Sequence, residues 1–301
     1  MLEARRGVLF GVAAYGLWGA FPLYWPLLEP AGAIEILAHR IVWSAITLGL
    51  LVTVLHRGPR LKALVADRRT FLILAVAALV ITLNWGGYIW GVTNGRVVET
   101  SLGYFINPLV TVLMGVFILG ERLRPGQWAA LGLGVLAVAV LTLDYGRPPW
   151  IALLLAFSFG TYGLAKKKAN APAIESLTLE TLLIAPLALA YLAWLTSQGE
   201  SGFTHHGAGH VLLFISTGVI TAVPLVMFSA AATRVPMVVL GLLQYLAPIL
   251  QFALGVLYFH EDMPAGRWIG FVLVWLALMV FTFESIHHRR SVRLITESAA
   301  A

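Results

Sequence analysis

The chain has no cysteine, and charge is scarce: Asp, Glu, Lys and Arg make up 11% of its 301 residues. Without cysteine there is no disulfide framework, iron–sulfur cluster or thiolate zinc site. Soluble globular chains carry about 25% charged and roughly 45–50% apolar residues. Here the apolar share is 59%, so a water-facing surface of this size could not be covered. No Gly-x-x-x-x-Gly-Lys string is present, which removes a phosphate loop for ATP as an energy source. No metal-ligand set stands out, and no cofactor is expected. His205, His206 and His210 share one loop but have no carboxylate beside them except Glu200, so a solvated loop is the simpler reading.

What the chain does have is long apolar runs. Phe71 to Trp85 and Ser101 to Gly120 carry no charge. About 20 apolar residues at 1.5 Å each cross the ~30 Å hydrocarbon core as a helix. In that medium only helices or closed barrels satisfy the backbone, and these runs are too long for barrel strands. The fold class expected is all-α transmembrane, with ten segments at 7–28, 33–55, 70–93, 99–119, 127–144, 149–166, 174–196, 211–233, 236–259 and 266–285.

The net charge of +6 is scattered through short loops, which argues against nucleic acid and for a topology signal. One side of the expected membrane collects Arg5, Arg6, Arg57, Arg60, Lys62, Arg68, Arg69, Arg122, Arg124, Lys166, Lys167, Lys168, Arg234, Arg289, Arg290 and Arg293. The other collects Arg96, Arg147 and Arg267, while Arg40 lies inside a segment. Both termini are therefore expected in the cytoplasm, which needs an even number of crossings. The positive N-terminus followed by an apolar run has no convincing cleavage site and reads as an anchor.

A shift of 140 residues aligns the chain with itself without a gap. It matches Glu35 with Glu175, Pro108 with Pro248, Gly115 with Gly255, Glu121 with Glu261, Gly126 with Gly266 and Trp128 with Trp268. Shared Pro, Glu, Gly and Trp are harder to obtain by chance than shared Leu or Val. The expected organisation is one five-helix repeat over 7–144, a second over 149–286, and a cytoplasmic tail over 287–301. An odd number of crossings per copy inverts the second, the design of many transporters whose substrate lies near the midplane.

Several strings resemble a known family: Tyr15-Gly-Leu-Trp-Gly-Ala-Phe-Pro-Leu-Tyr-Trp25, Glu35-Ile-Leu-Ala-His-Arg40, Ser101-Leu-Gly-Tyr-Phe-Ile-Asn-Pro-Leu109, Thr221-Ala-Val-Pro-Leu225 and Leu240-Gly-Leu-Leu-Gln-Tyr-Leu-Ala-Pro248. Together they are similar to the RarD-type permeases, called chloramphenicol-sensitive proteins, of the EamA branch of the drug/metabolite transporters. The resemblance spans residues 7–286. It implies ten helices, cytoplasmic termini in a bacterial inner membrane and export of a small molecule. It also implies a central cavity lined by helices three, four, eight and nine.

Two groups of residues are candidates for the work. Polar side chains in lipid usually face a cavity or a partner. Glu35 and His39 stand four apart on one helical face with Arg40 beside them, and the 140-residue shift sets Arg40 against Glu180. The group reads either as a charge relay, with protons as a candidate coupling ion, or as a structural ion pair between segments two and seven. Pro108 and Pro248 interrupt segments four and nine and free the carbonyls of Tyr104 and Gln244. Tyr104, Asn107, Gln244, Tyr245 and Gln251 surround those interruptions. Asn84, Trp85 and Tyr88 in segment three would suit an aromatic or amphiphilic ligand, or else bond a neighbouring helix. These are the expected substrate contacts. The partners expected are the bilayer and a small-molecule substrate; oligomeric state stays open and a monomer fits. A secondary transporter working by alternating access is the reading preferred over a lipid-modifying enzyme or a channel.

Overall fold

The structure is a computed structural model that describes residues 2–120, 122–203 and 207–299, with side chains of 2, 119, 237, 238 and 285–299 outside the description. Its described residues form helices and no strands. They are α1 (Leu2–Tyr24, continued by a 3-10 turn, Trp25–Leu28), α2 (Ala33–Val54), α3 (Gly58–Ala66), α4 (Arg68–Thr93), α5 (Val97–Leu119) and α6 (Pro125–Tyr145). There follow α7 (Trp150–Ala169), α8 (Ala173–Ser197), α9 (Gly207–Ala232), α10 (Met237–Leu243), α11 (Leu246–Ala253) with a π turn (Leu254–Tyr258), and α12 (Ala265–Ala299).

Among the described residues, nine helical stretches are long and apolar enough to cross a membrane. The tenth expected segment, α7, falls outside that set because Lys166, Lys167 and Lys168 occupy its last turn. It is nevertheless packed as a member of the bundle. The short α3 was not expected: Gly58 and Pro59 open it, its nine residues are too few to cross the hydrocarbon core, and none of them is buried. Local signals explain the ends. The Asp67 carboxylate accepts from the Arg69 N–H and caps α4, and Gly146 ends α6 in the left-handed conformation (φ 65°). Residues 287–299, expected as a tail, continue the helix of α12.

Packing reproduces the duplication. α1 lies against α9 and α11, and α7 lies against α4 and α5 in the same way. α2 touches α9 as α8 touches α4, while the pairs α2–α8, α5–α11 and α6–α12 join equivalent helices. The equivalence reaches single atoms. A β-carbon at Gly126 would stand 2.6 Å from Glu284 Cγ, and one at Gly266 would stand 2.7 Å from Asp144 Oδ1. Both glycines and both acids are 140 apart. Arg124 Nε meets Glu284 Oε1 at 2.8 Å and Arg267 Nε meets Asp144 Oδ2 at 3.1 Å, so α6 and α12 are tied at both ends. Gly91 against Ile151 and Gly11 against Ala231 form a second such pair. The fold is two inverted five-helix repeats.

The two copies differ where the sequence suggested they would agree. Pro108 sits inside an unbroken α5, whereas the helix containing Pro248 divides at Gln244–Tyr245. There the Tyr245 N–H turns back to Leu242 O, tightening the chain to a three-residue step. Proline alone therefore does not break a helix in this bundle; membrane helices re-satisfy the freed carbonyl through neighbours. Further along, the Phe259 N–H reaches Leu254 O, five residues back, in a π turn.

The tightest helix crossing generates a stability prediction. A β-carbon on Gly218 of α9 would lie 2.2 Å from the backbone oxygen of Trp43 in α2. Gly218→Ala is expected to destabilise the detergent-solubilised protein by about 1–3 kcal/mol through overpacking. Gly132→Ala, with nothing within 4 Å, is expected to leave the unfolding midpoint unchanged. Thermal unfolding of the two variants side by side checks this.

Candidate functional site

The residues of α2 that looked like one charge cluster are divided among three environments. Glu35, in the first turn, accepts from Ser201 Oγ at 3.1 Å and from the Gly202 N–H at 2.8 Å, both in the loop between α8 and α9. His39 stacks on Phe203 with ring centres 4.6 Å apart and also contacts Phe214; its Nε2 is buried without a hydrogen bond. Arg40 turns the other way. The expected pairing of Arg40 with Glu180 is not formed. Glu180 accepts from Lys166 Nζ at 2.8 Å and from Tyr162 Oη at 3.0 Å, both on α7. The reason is local: α8 presents Glu180 to the lysine-rich end of its own repeat, which sequence reading treated only as a topology signal.

Arg40 has 4% of its surface exposed and no carboxylate within ion-pair distance among the described residues. Its guanidinium lies 4.0 Å above the Trp85 ring, 5.0 Å from Trp25 and 5.7 Å from Phe21. Its Nε–H donates to Thr221 Oγ1 at 3.1 Å. The phenols of Tyr24, Tyr88 and Tyr104 lie within electrostatic range. Withdrawing a cation from water costs several kcal/mol even after relaxation. Cation–π contacts return about 0.5–2 kcal/mol each and a charged hydrogen bond about 1.5–3 kcal/mol. These offset enough to hold the cation in place, yet they supply no acceptor for its two terminal NH2 groups. Beside it the Tyr88 hydroxyl and the Trp25 indole N–H are also buried without partners. Trp25 and Thr221 are not expected site residues from the sequence, since nothing in their spacing points to Arg40.

The remaining expected contacts separate into packing and pocket. Asn84 donates to Leu155 O at 3.0 Å and Ser158 Oγ at 2.9 Å, which fastens α4 to α7, while Tyr104 Oη approaches its oxygen at 3.4 Å. Tyr88 and Tyr104 meet edge to face at 5.7 Å. Gln251 donates to Trp18 O at 3.1 Å, joining α11 to α1. Tyr245 packs in the cluster between α5, α6 and α12, away from Arg40. Asn107 is half-buried with an unpaired Oδ1, and Gln244 lies at the helix break with Pro248 buried just beyond it. The structure thus brings Trp85, Tyr88 and Tyr104 to Arg40, whereas Gln251 is turned to α1, Tyr245 to the α5–α6–α12 cluster, Asn107 and Pro108 stay on α5, and Gln244 and Pro248 flank the α10–α11 break. His205, His206 and Glu121 lie outside the described residues. His210 is buried, with its ring nitrogens at 3.1 Å from Gly202 O and 3.2 Å from Leu28 O.

Carboxylates close both faces of the bundle. On the face that holds Glu35, a cavity of about 590 Å³ is lined by Ala31, Glu35, Trp90, Tyr191, Ser201 and Gly202 among others. On the opposite face Glu175, equivalent to Glu35, stands 3.6 Å from Arg57 and 3.9 Å from Arg60 without a hydrogen bond. Glu261, beyond the π turn, accepts from the Val97 and Val98 N–H groups and so caps α5 from the other repeat. Burial pushes its carboxyl up from an ordinary 4.5 to about 7, against the capping N–H groups and Arg267, while Glu99 adds to the rise. Glu99 itself is held by Arg147 at 2.7 Å and by the Ile151 N–H at 3.2 Å.

Comparison with known proteins places this architecture. Residues 5–143 and 148–283 each match the EamA-like transporter family, one match per structural repeat. The chain is 56% identical to Protein RarD of Streptomyces exfoliatus over 99% of its own length and 95% of that protein. It is 40% identical to an uncharacterized transporter, YojE, of Bacillus subtilis (96% and 97% covered), and 39% identical to Protein RarD of Escherichia coli K12 (96% and 97%). A solved crystal structure, 21% identical, shares the fold with a TM-score of 0.58 over 91% of this chain and 96% of its own. Two tandem matches and full-length relatives agree with the inverted pair of five-helix bundles, and the chain belongs to the EamA-like transporter family, among its RarD-type members.

Proposed function

We propose that this chain is a secondary transporter that exports a small organic metabolite or drug by alternating access. Its setting in this reading is a bacterial inner membrane, with both termini in the cytoplasm. The observation that carries the proposal is the pair of latches on Glu35 and Glu175. Each acid opens the second helix of its repeat, is buried, and meets the loop that follows the second helix of the other repeat. Inversion puts one latch on each membrane face. Alternating access asks for such a device, because rocking one repeat against the other exchanges the states of equivalent contacts. The latches are unequal: Glu35 is hydrogen-bonded, while Glu175 sits at longer range from Arg57 and Arg60. That inequality corresponds to a conformation shut more firmly on the Glu35 face. The many Lys and Arg of the other face support a cytoplasmic setting for it.

Uptake of labelled organic solutes into everted membrane vesicles, with and without a pH gradient, tests transport. Solutes should accumulate in vesicles containing the protein and not in vesicles lacking it. The absence of cysteine makes the latches directly testable. Ser44 is buried on α2 about one turn below Arg40 on the same face. A single cysteine there should react with an impermeant maleimide several-fold faster from the outside in Glu35→Ala, and several-fold faster from the inside in Glu175→Ala. Unchanged rates in both variants would remove the alternating-access reading.

Glu261 adds a pH signature. Its folded carboxyl titrates near 7, above the unfolded value of about 4.5, so the folded state holds an extra proton between the two. The associated stability is present below the lower value and is lost as pH rises through about 7. Thermal stability of the wild type should therefore fall across that window, and Glu261→Gln should flatten the fall.

A further inference from the structure

We infer that Arg40 is the anchor for the anionic group of an organic substrate, so that the transported species is an organic anion, of which a monocarboxylate with an apolar or aromatic body is the best fit. This rests on the transporter reading above and names the substrate class of its central site. The guanidinium is almost wholly buried, between Trp85 and Trp25, and its terminal nitrogens donate to no protein acceptor among the described residues. The Tyr88 hydroxyl and the Trp25 indole N–H, in side chains beside it, are also buried without partners, so each has a hydrogen free to donate. A buried cation with unused donors and no countercharge among the described residues describes a ligand that brings oxygens carrying negative charge. The surroundings are aromatic and aliphatic, so the rest of the ligand is apolar.

The acids of the bundle are committed elsewhere. Glu35 is taken by Ser201 and Gly202, and Glu180 by Lys166 and Tyr162. Among the described residues no carboxylate forms an ion pair with Arg40 or is left to receive an ammonium beside it, which separates a simple anion from a zwitterion. The route inward also starts on α2: Glu35 lines the cavity on its face, and His39 and Arg40 follow about one turn deeper. Removal of the Ser201–Phe203 latch would open that cavity towards the guanidinium.

The test uses the full chain in detergent and in proteoliposomes. Thermal unfolding and intrinsic tryptophan fluorescence are followed against phenylacetate, indole-3-acetate, benzenesulfonate and phenylphosphonate, with phenylacetamide, phenethylamine and zwitterionic phenylalanine as matched controls. Carboxylates should bind saturably, about ten-fold or more tightly than the amide, amine or zwitterion. A stronger response to the sulfonate or phosphonate would replace carboxylate by that headgroup and overturn the narrower identification. Arg40→Gln should abolish the preference and Arg40→Lys should keep part of it. If the Arg40 variants do not fold, Tyr88→Phe should weaken the carboxylate several-fold and leave the amide unchanged. Equal binding of anion and amide by the wild type, no saturable binding of any anion, or the same response to chloride or inorganic phosphate alone would overturn the inference. The two readings fail separately. Arg40-dependent binding without flux would sink transport and leave the site standing. Flux of neutral or cationic solutes indifferent to Arg40→Gln would sink the anion site and leave transport standing.

Discussion

A hydrocarbon interior solvates neither a peptide group nor a charge, and this constraint decides where each ionised side chain of the chain can go. The acids obey it by keeping to helix ends. Glu35, Glu99 and Glu175 lie in first turns, where unsatisfied N–H groups and the helix dipole favour a carboxylate. Glu261 caps α5 from outside it, and Asp144 and Glu284 meet arginines where α6 and α12 run past each other. Glu180 is deeper, and it has both a lysine and a phenol. Arg40 is the exception among the described residues: a cation well inside its helix, with aromatic rings and one hydroxyl for company.

Duplication makes that exception informative. Wherever the copies perform the same mechanical task, the same solution recurs 140 residues later, as with the glycines at 126 and 266 and the acids that pass over them. The positions of Arg40 and Glu180 are equivalent and carry opposite charge. If both were structural, each would need its own neutralising partner, or they would neutralise one another. Glu180 has its partner in Lys166, while the equivalent of Lys166 in the first copy is Pro26. The second repeat has closed its charge locally and the first has left its charge open.

Much of this was legible in the sequence, because apolar length and a gapless register are properties of the chain taken in order. The apolar segments and the duplicated, inverted halves follow from those two signals, and the expected meeting of segments two and seven recurs as the α2–α8 contact, though not through Arg40 and Glu180. Less legible were features that depend on which neighbour a side chain meets. Asn84 and Tyr88 share a face by spacing, yet Asn84 bonds α7 while Tyr88 leaves its hydroxyl beside Arg40. Pro108 and Pro248 are equivalent by register, yet only the second lies beyond a break, where the Gln244–Tyr245 turn and the π turn redirect the chain. The lysines ending α7 read as topology signals because their number masks the single one that turns inward to Glu180.

Latch and anchor share a helix, and that bears on how they work together. Glu35 and Arg40 are five residues apart on α2, about 7.5 Å along its axis. α2 packs on α8 and α9, and α8 carries the opposite latch, Glu175, in its own first turn. In the alternating-access cycle proposed above, a rocking motion that frees Glu35 from Gly202 would move the near end of α2 and leave Arg40 about one turn from the opened surface. In that cycle the guanidinium would become accessible from the Glu35 face soon after release. On the other face it is reached only past Ser44 and Leu48, both buried against neighbouring helices. Under the proposed cycle, an anchor nearer one gate than the other would require little movement for exchange on that side and a larger one on the far side, so the two half-cycles would differ even though the scaffold is built twice.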